Sequence, residues 1–295
     1  MKKFLLTTII LFSLLSAYAN PLQTKDLPSR VRWLVHLDIE SLNITTLGDT
    51  IFKKFNGNSK NNYILKAIKT LNSITVYGDN PKTGNVLYLL KGPAESIKNL
   101  YDLKSIGILG DHSKSKIIKI DGHEVYRANK EGVFSYLISL GDKLILTEDI
   151  SLMRYQLKAL GKSTRTLDSN KTIKIESILD SMIMFYYKGP VVLKKADPEF
   201  EKVLKFIDFT KGDLKIDGND FVLEIEANAK TKSHFRKLKD FFDGLKSIIK
   251  LENKHGNNFN KMVEAITIKN IKNKLIIKLK YDSASFSSVV GELLK

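Results

Sequence analysis

The chain has 295 residues, no cysteine and a formal net charge of +16 at pH 7. The lack of cysteine excludes disulfide bonds, thiol catalysis and cysteine-ligated zinc. The basic charge favours an anionic partner such as lipid, glycan or nucleic acid. Most of the cations are Lys, whereas bidentate recognition of phosphates and bases favours Arg, so nucleic acid is the least expected of the three. The acidic residues are interleaved with the basic ones, which favours a solvated Lys-rich surface over an anionic partner.

Residues 1–19 have the pattern of a secretory signal peptide. Lys2 and Lys3 precede an apolar run, Phe4–Leu15, and Ala17-Tyr18-Ala19 has the small residues of a cleavage site. The run is shorter than the roughly 20 residues that a membrane-spanning helix needs. We expect cleavage after Ala19 and a soluble bacterial protein, periplasmic or secreted, with no transmembrane span in the mature chain.

The segment Val31–Glu40 predicts the first strand and contains the single Trp of the chain. An apolar row alternates with a row that contains His36, Asp38 and Glu40, as in a strand with one buried face. We expect the apolar row, with Trp33, to lie in the core and the polar row to face solvent. The three polar side chains point the same way, and imidazole and carboxylates suit Zn²⁺ or Mn²⁺. The row is therefore also a candidate metal site.

The rest of the first half predicts helices and hairpins. Thr46-x-x-Asp49 predicts a helix start, Asp149 and Gly161 predict the start and end of a later helix, and Asp121-Gly122 predicts a tight turn. The predicted strands after the first are Ser73–Gly78, Asn85–Leu90, Lys116–Ile120, Glu124–Ala128, Val133–Leu140 and Lys143–Thr147.

The second half repeats a similar order of elements after residues 161–172, whose polar, aperiodic sequence predicts a linker. Asp197-Pro198-Glu199 predicts a helix start, and residues 231–251 predict the longest helix because apolar residues recur along one stripe. Residues 173–179 and 258–265 predict shorter helices, and a final helix carries Phe286. The predicted strands are Met182–Tyr187, Phe209–Ile216, Phe221–Ala227, Ile266–Ile271 and Lys274–Tyr281.

These patterns predict the α+β class. We expect two related units, a tandem repeat of pattern rather than of residues, each an antiparallel sheet with helices packed on one face in a ferredoxin-like order. The predicted domains are residues 20–160 and 173–295, joined by the linker 161–172.

Motifs for catalysis and for cofactor binding are lacking. The sequence has no His-Glu-x-x-His zinc motif and no Gly-x-Ser-x-Gly nucleophile turn. Gly161-Lys162-Ser163 lacks the upstream glycine of a phosphate-binding loop, since residue 156 is Gln. We expect no cofactor and a binding protein rather than an enzyme, with enzymatic activity left open.

Two stretches carry a family resemblance. Arg32–Asp38 with Ser41-Leu42 and Thr46-Leu47-Gly48, and Phe221–Thr231 leading into a long helix, resemble uncharacterised exported bacterial proteins. The resemblance implies an exported α+β protein without known activity, and it transfers no functional residue.

Three functions follow as hypotheses from these patterns. The first is a non-enzymatic binding or scaffold module of the cell envelope, with an envelope protein, an anionic lipid or a glycan as partner. The second is a metal-dependent hydrolase centred on His36, Asp38 and Glu40. The third is a carrier of lipid or anionic glycan that uses a basic sheet face.

Overall fold

The computed structural model describes residues 22–55, 65–80, 85–102, 111–167, 181–189, 205–252 and 257–293. The predicted signal peptide, the linker residues 168–172, the helix 173–179 and the helix start at Asp197 lie outside these residues. By contacts, the chain forms two units. The N-terminal unit contains the described parts of residues 20–40 and 56–180, and the C-terminal unit contains those of 41–55 and 181–295.

The elements alternate along the chain as expected for a mixed α and β protein, and we number them in chain order. The strands are β1 Trp33–Asp38, β2 Ser73–Gly78, β3 Leu87–Lys91, β4 Asp111–Ile120, β5 His123–Lys130, β6 Val133–Leu140, β7 Lys143–Thr147, β8 Ile183–Lys188, β9 Ile207–Asp217, β10 Asp220–Ala229, β11 Thr267–Ile271 and β12 Lys274–Asp282. The helices are α1 Ile39–Asn43, α2 Thr46–Phe55, α3 Ala94–Asp102, α4 Ile150–Leu160, α5 Lys232–Glu252, α6 Asn257–Ala265 and α7 Ser283–Leu293, and Thr24–Asp26 form a 3-10 turn.

The N-terminal unit contains an antiparallel sheet with the strand order β1-β2-β3-β7-β6-β5-β4. Tight turns set its hairpins. Asp121 and Gly122 adopt φ angles of 46° and 84° between β4 and β5, which confirms the predicted turn. Strands β6 and β7 have the predicted bounds. Glu40 lies in helix α1, so the first strand is shorter than the predicted Val31–Glu40.

Two helix starts show how local chemistry sets the boundaries. Asp149 accepts hydrogen bonds from the amides of Ser151 and Leu152, at 2.7 and 3.2 Å, as predicted for the cap of α4. Helix α2 is capped by Thr45, whose Oγ1 accepts from the Gly48 amide at 2.9 Å. The helix begins at Thr46 with Asp49 in its first turn, which confirms the predicted start.

The C-terminal unit contains an antiparallel sheet with the order β11-β12-β10-β9-β8. Phe235 and Leu238 of α5 pack on Ala227 and Leu275 of this sheet, and the ring of Phe286 on α7 lies 5.1 Å from that of Phe221. Helix α2 contacts α7 in the same unit. The segment 41–55, which the predicted domains place in the first half, thus belongs by contacts to the C-terminal unit.

Candidate functional site

The polar row of β1 is buried, which reverses the predicted orientation of this strand. Leu34 and His36 are each 1% exposed and Asp38 is 0% exposed, whereas Trp33 is only half-buried. The prediction that the Trp33 row forms the core and the polar row faces solvent is wrong. Alternation gives the period of a strand, but what covers each side decides which row is buried.

Hydrogen bonds make this burial possible. The partners of Leu34, His36 and Asp38 on β2 are Tyr77, Thr75 and Ser73, and all three are buried. Nδ1 of His36 lies 2.8 Å from Oγ1 of Thr75, a buried hydrogen bond. Buried polar groups that keep such partners avoid most of the desolvation penalty.

A second buried chain of hydrogen bonds begins on the same face at Tyr77. Its hydroxyl donates to Oε1 of Gln156 on α4, and Nε2 of Gln156 donates to the carbonyl oxygen of Asp26 at 2.9 Å. Burial, together with the charge of Asp79, holds the pKa of the Tyr77 hydroxyl well above its ordinary value. Tyr77 is therefore a neutral hydrogen-bond donor that links β2, α4 and the 3-10 turn.

Two lysines on this face are neutralised by acids. Lys91 and Lys143 are cross-strand partners on β3 and β7, and Nζ of Lys91 lies 2.7 Å from Oδ2 of Asp26. Nζ of Lys143 lies 4.0 Å from the same oxygen and 2.9 Å from Oδ1 of Asp142. Two cations face two carboxylates, so the cluster is a charge-balanced structural contact.

The three predicted metal ligands are not presented together. His36 and Asp38 share the buried face of β1, whereas Glu40 is exposed on α1 and accepts a hydrogen bond from Nδ2 of Asn72 at 3.1 Å. Within the described part of the chain, no group of three or more His, Asp or Glu side chains is placed to hold a metal ion. The metal-dependent hydrolase stays a prediction, and it would require a ligand other than Glu40.

The face of β1, β2, β3 and β7 that lies opposite the buried polar row carries apolar side chains. The sequence patterns do not predict this surface. Val35, Val76, Tyr88 and Leu146 lie side by side across β1, β2, β3 and β7. All are half-buried except Tyr88, which is 41% exposed. We call this surface the apolar sheet face, and its members are Trp33, Val35, Leu37, Ile74, Val76, Tyr88, Leu90 and Leu146. The sequence signal for this surface is the segment Leu87–Leu90, in which the residues on both faces of the strand are apolar.

Trp33 closes one end of the apolar sheet face. Its indole lies on Gly78, the cross-strand partner, so closely that a Cβ at position 78 would be 2.5 Å from Nε1. Nε1 is buried and has no hydrogen-bond partner among the described residues. Glycine at position 78 is thus required by the approach of the ring.

The sheet of the C-terminal unit presents a charged face instead. Cross-strand ion pairs join Lys274 to Glu226 at 2.7 Å, Lys278 to Glu224 at 2.5 Å and Lys280 to Asp217 at 2.7 Å. We call these three pairs the ion-pair ladder. The predicted carrier function relied on a basic sheet face, but these lysines are neutralised by carboxylates.

The comparisons with known proteins give a fold and no family. No protein-family model matches the chain, and no curated protein matches it either. Among solved structures, crystal form III of TP0453 is similar with a TM-score of 0.52 and 13% identity, over 92% of this chain and 98% of that one. Crystal form IV of TP0453 gives a TM-score of 0.49 and 12% identity, over 92% and 97%. At this identity the likeness concerns the fold alone. None of the described helices is long and apolar enough to cross a membrane.

Proposed function

We propose that the chain is an exported, non-enzymatic binding or scaffold module of the cell envelope, and that it docks a partner protein on the apolar sheet face. The observation that carries this proposal is the row Val35, Val76, Tyr88 and Leu146, in which apolar side chains cross four strands and remain incompletely covered. Contiguous apolar surface of this kind marks interaction sites in proteins that act in water.

The chemistry of the face fits a protein partner. Antiparallel sheets commonly bury one face and leave the other polar, whereas β1–β3 have apolar residues on both. Tyr88 supplies a large ring with a hydroxyl, the kind of side chain that is enriched at the energetic centre of protein interfaces.

Site-specific crosslinking in cells tests the docking surface. Because the chain has no cysteine, Tyr88→Cys gives a single attachment point for a photo-crosslinker, and Ile117→Cys, at a position 63% exposed outside the apolar sheet face, gives the matched control. We expect a discrete crosslinked protein from position 88 that is lost when Val76→Asp is added. Equal crosslinking from both positions would overturn the proposed surface.

Export is tested separately. Amino-terminal sequencing of the protein from fractionated cells should give a chain that starts at Asn20 and is found outside the cytoplasm, as the pattern of residues 1–19 predicts. Full-length protein in the cytoplasm would contradict the export step while leaving the docking surface untouched.

A lipid carrier is the second candidate, because acyl chains would also fit an apolar sheet face. Mass spectrometry of lipids that copurify with the mature protein distinguishes the two. A stoichiometric lipid that disappears in Val76→Asp supports the carrier, and its absence together with a protein crosslink supports the docking module.

We also propose that the two units are related copies with helices on one face. The support is a shared order, in which a tight hairpin is followed by a helix, β6-β7-α4 in one unit and β9-β10-α5 in the other. Core packing of Phe235 and Leu238 on the second sheet is in line with this arrangement.

A further inference from the structure

The start of α5 is the most basic segment of the described chain. Residues 230–239 contain five Lys or Arg residues and no acid. Four of them, Lys230, Lys232, Arg236 and Lys237, are exposed. We call these four residues the basic helix face. The fifth, Lys239, is paired with Asp243, with Nζ 2.5 Å from Oδ2.

The basic helix face differs from the ion-pair ladder of the same unit. On the sheet, each of the three ladder lysines has a carboxylate within 2.7 Å. On the helix, no carboxylate of the described residues forms an ion pair with any of the four cations. The Nζ atom of Lys237 lies 5.3 Å from the centroid of the Phe206 ring, a cation–π contact. None of the four cations is therefore neutralised by an ion pair with a described residue, although Asp240 lies one helical turn after Arg236.

The placement of these cations is unfavourable for the helix itself. The first turn of α5 contains no acid, although the amino end of a helix favours negative side chains and disfavours positive ones. Thr231 caps this end, since its Oγ1 accepts a hydrogen bond from the His234 amide at 3.1 Å. This amide of the first turn therefore has a hydrogen-bond partner without a bound anion. The charge of Lys232 in the first turn therefore does not stabilise the helix dipole, whereas it is suited to hold a bound anion.

The surroundings of the four cations select the class of partner. The exposed large hydrophobic residues among those described are elsewhere, and none lies between residues 230 and 244. Insertion into a membrane requires apolar side chains beside the cations, and a stable protein interface requires an apolar centre. Binding of a flexible polyanion requires only charges at regular spacing. The Cβ atoms of Lys232 and Arg236 are one helical turn apart, about 5–6 Å, so their long side chains can contact successive anionic groups of a linear chain.

We propose that the basic helix face binds a linear anionic glycan. This inference goes beyond the proposed function and is independent of it, because it concerns a different unit and different residues. The binding is electrostatic, so it weakens as ionic strength rises.

Binding of polygalacturonate to the full mature chain tests the proposal. We compare Lys232→Glu/Arg236→Glu with Arg154→Glu/Lys158→Glu, a control with the same residue types, charge change and spacing on the exposed side of α4. The expected result is a roughly tenfold or greater loss of affinity in the first variant and a change of less than about twofold in the control. Unfolding midpoints verify that both variants fold.

Several outcomes would overturn the proposal. Equal losses in the two variants would show that only net charge matters. Absence of polygalacturonate binding by the parent chain, or binding that does not change with salt, would exclude an electrostatic glycan site. Equal or tighter binding to phosphatidylglycerol vesicles, polyglutamate or duplex DNA through the same two residues would assign the face to another class of partner.

Discussion

The polar row of β1 and the ion-pair ladder, one in each sheet, are stabilised in opposite ways. In the N-terminal unit, His36 and Asp38 are removed from water, and His36 bonds to the buried hydroxyl of Thr75. In the C-terminal unit, Lys278 and Glu224 stay partly in water and pair with each other. A lost partner inside the sheet leaves an unsatisfied buried group, whereas a lost partner on the ladder leaves a hydrated charge. The same strand alternation therefore leads to very different energetic consequences.

The largest expected effect compares the two faces of β1 with one residue type. Leu34 is 1% exposed and Leu37 is half-buried. We expect Leu34→Ala to lower the free energy of unfolding by about 3–4 kcal/mol and Leu37→Ala by about half as much, because the cost follows the buried volume that is lost. Urea denaturation of both variants measures the difference. Equal costs would show that the apolar sheet face is as tightly packed as the core.

The next prediction concerns Trp33, a larger side chain on the same half-buried face of β1. The sequence alone predicts a cost of about 3–5 kcal/mol for Trp33→Ala, as for a buried large residue. The ring is half-buried on Gly78, so we expect about 2–3 kcal/mol in the free energy of unfolding. Indole fluorescence reports the same site, because the chain has a single Trp. A cost at or above the upper limit of the sequence prediction would indicate that Trp33 is a core residue.

The hydrogen bond inside the sheet is expected to have an intermediate effect. Thr75→Val keeps the shape of the side chain and removes the hydroxyl that bonds to Nδ1 of His36. We expect a loss of about 1–3 kcal/mol, the penalty for an unsatisfied buried polar group. Thr70→Val, at an exposed position, is the control, and it should change stability by less than about 0.5 kcal/mol.

The sequence predicts these features unequally, for physical reasons. The tight turn at Asp121-Gly122 and the Asp149 cap are local, since each depends on a few adjacent residues, and the structure confirms both. The side on which His36 is buried depends on Thr75, a residue 39 positions away. Strand alternation contains no information about that partner, so the sequence predicts a polar row that faces solvent and does not predict the apolar sheet face.

A buried carboxyl group in the C-terminal unit adds a dependence on pH. Asp213 is 7% exposed and accepts a hydrogen bond from Oγ of Ser181 at 3.0 Å. Desolvation raises its pKa, against the smaller opposing effects of Lys215 and Ser181. A pKa that is higher in the folded state gives stability that is present below the unfolded-state pKa and lost as the pH rises through the folded-state value.

Asp213→Asn tests this dependence because the amide stays neutral at every pH. We expect the parent chain to lose stability relative to Asp213→Asn as the pH rises from about 4 to 7. Urea denaturation at the two pH values measures the change. A stability difference that is constant over this range would show that Asp213 does not titrate there.

The smallest expected effect is on the ion-pair ladder, and it completes the comparison of the two sheets. Lys278 and Glu224 have side chains that are 43% and 38% exposed, so water and salt screen their attraction. A double-mutant cycle with Lys278→Ala and Glu224→Ala should give a coupling free energy of about 0.2–1 kcal/mol that decreases with added salt. A salt-independent coupling above about 2 kcal/mol would mean that the pair behaves like the buried hydrogen bond of Thr75. In that case the ion-pair ladder and the polar row of β1 would be stabilised by the same means, and burial at β1 would no longer explain the larger cost expected there.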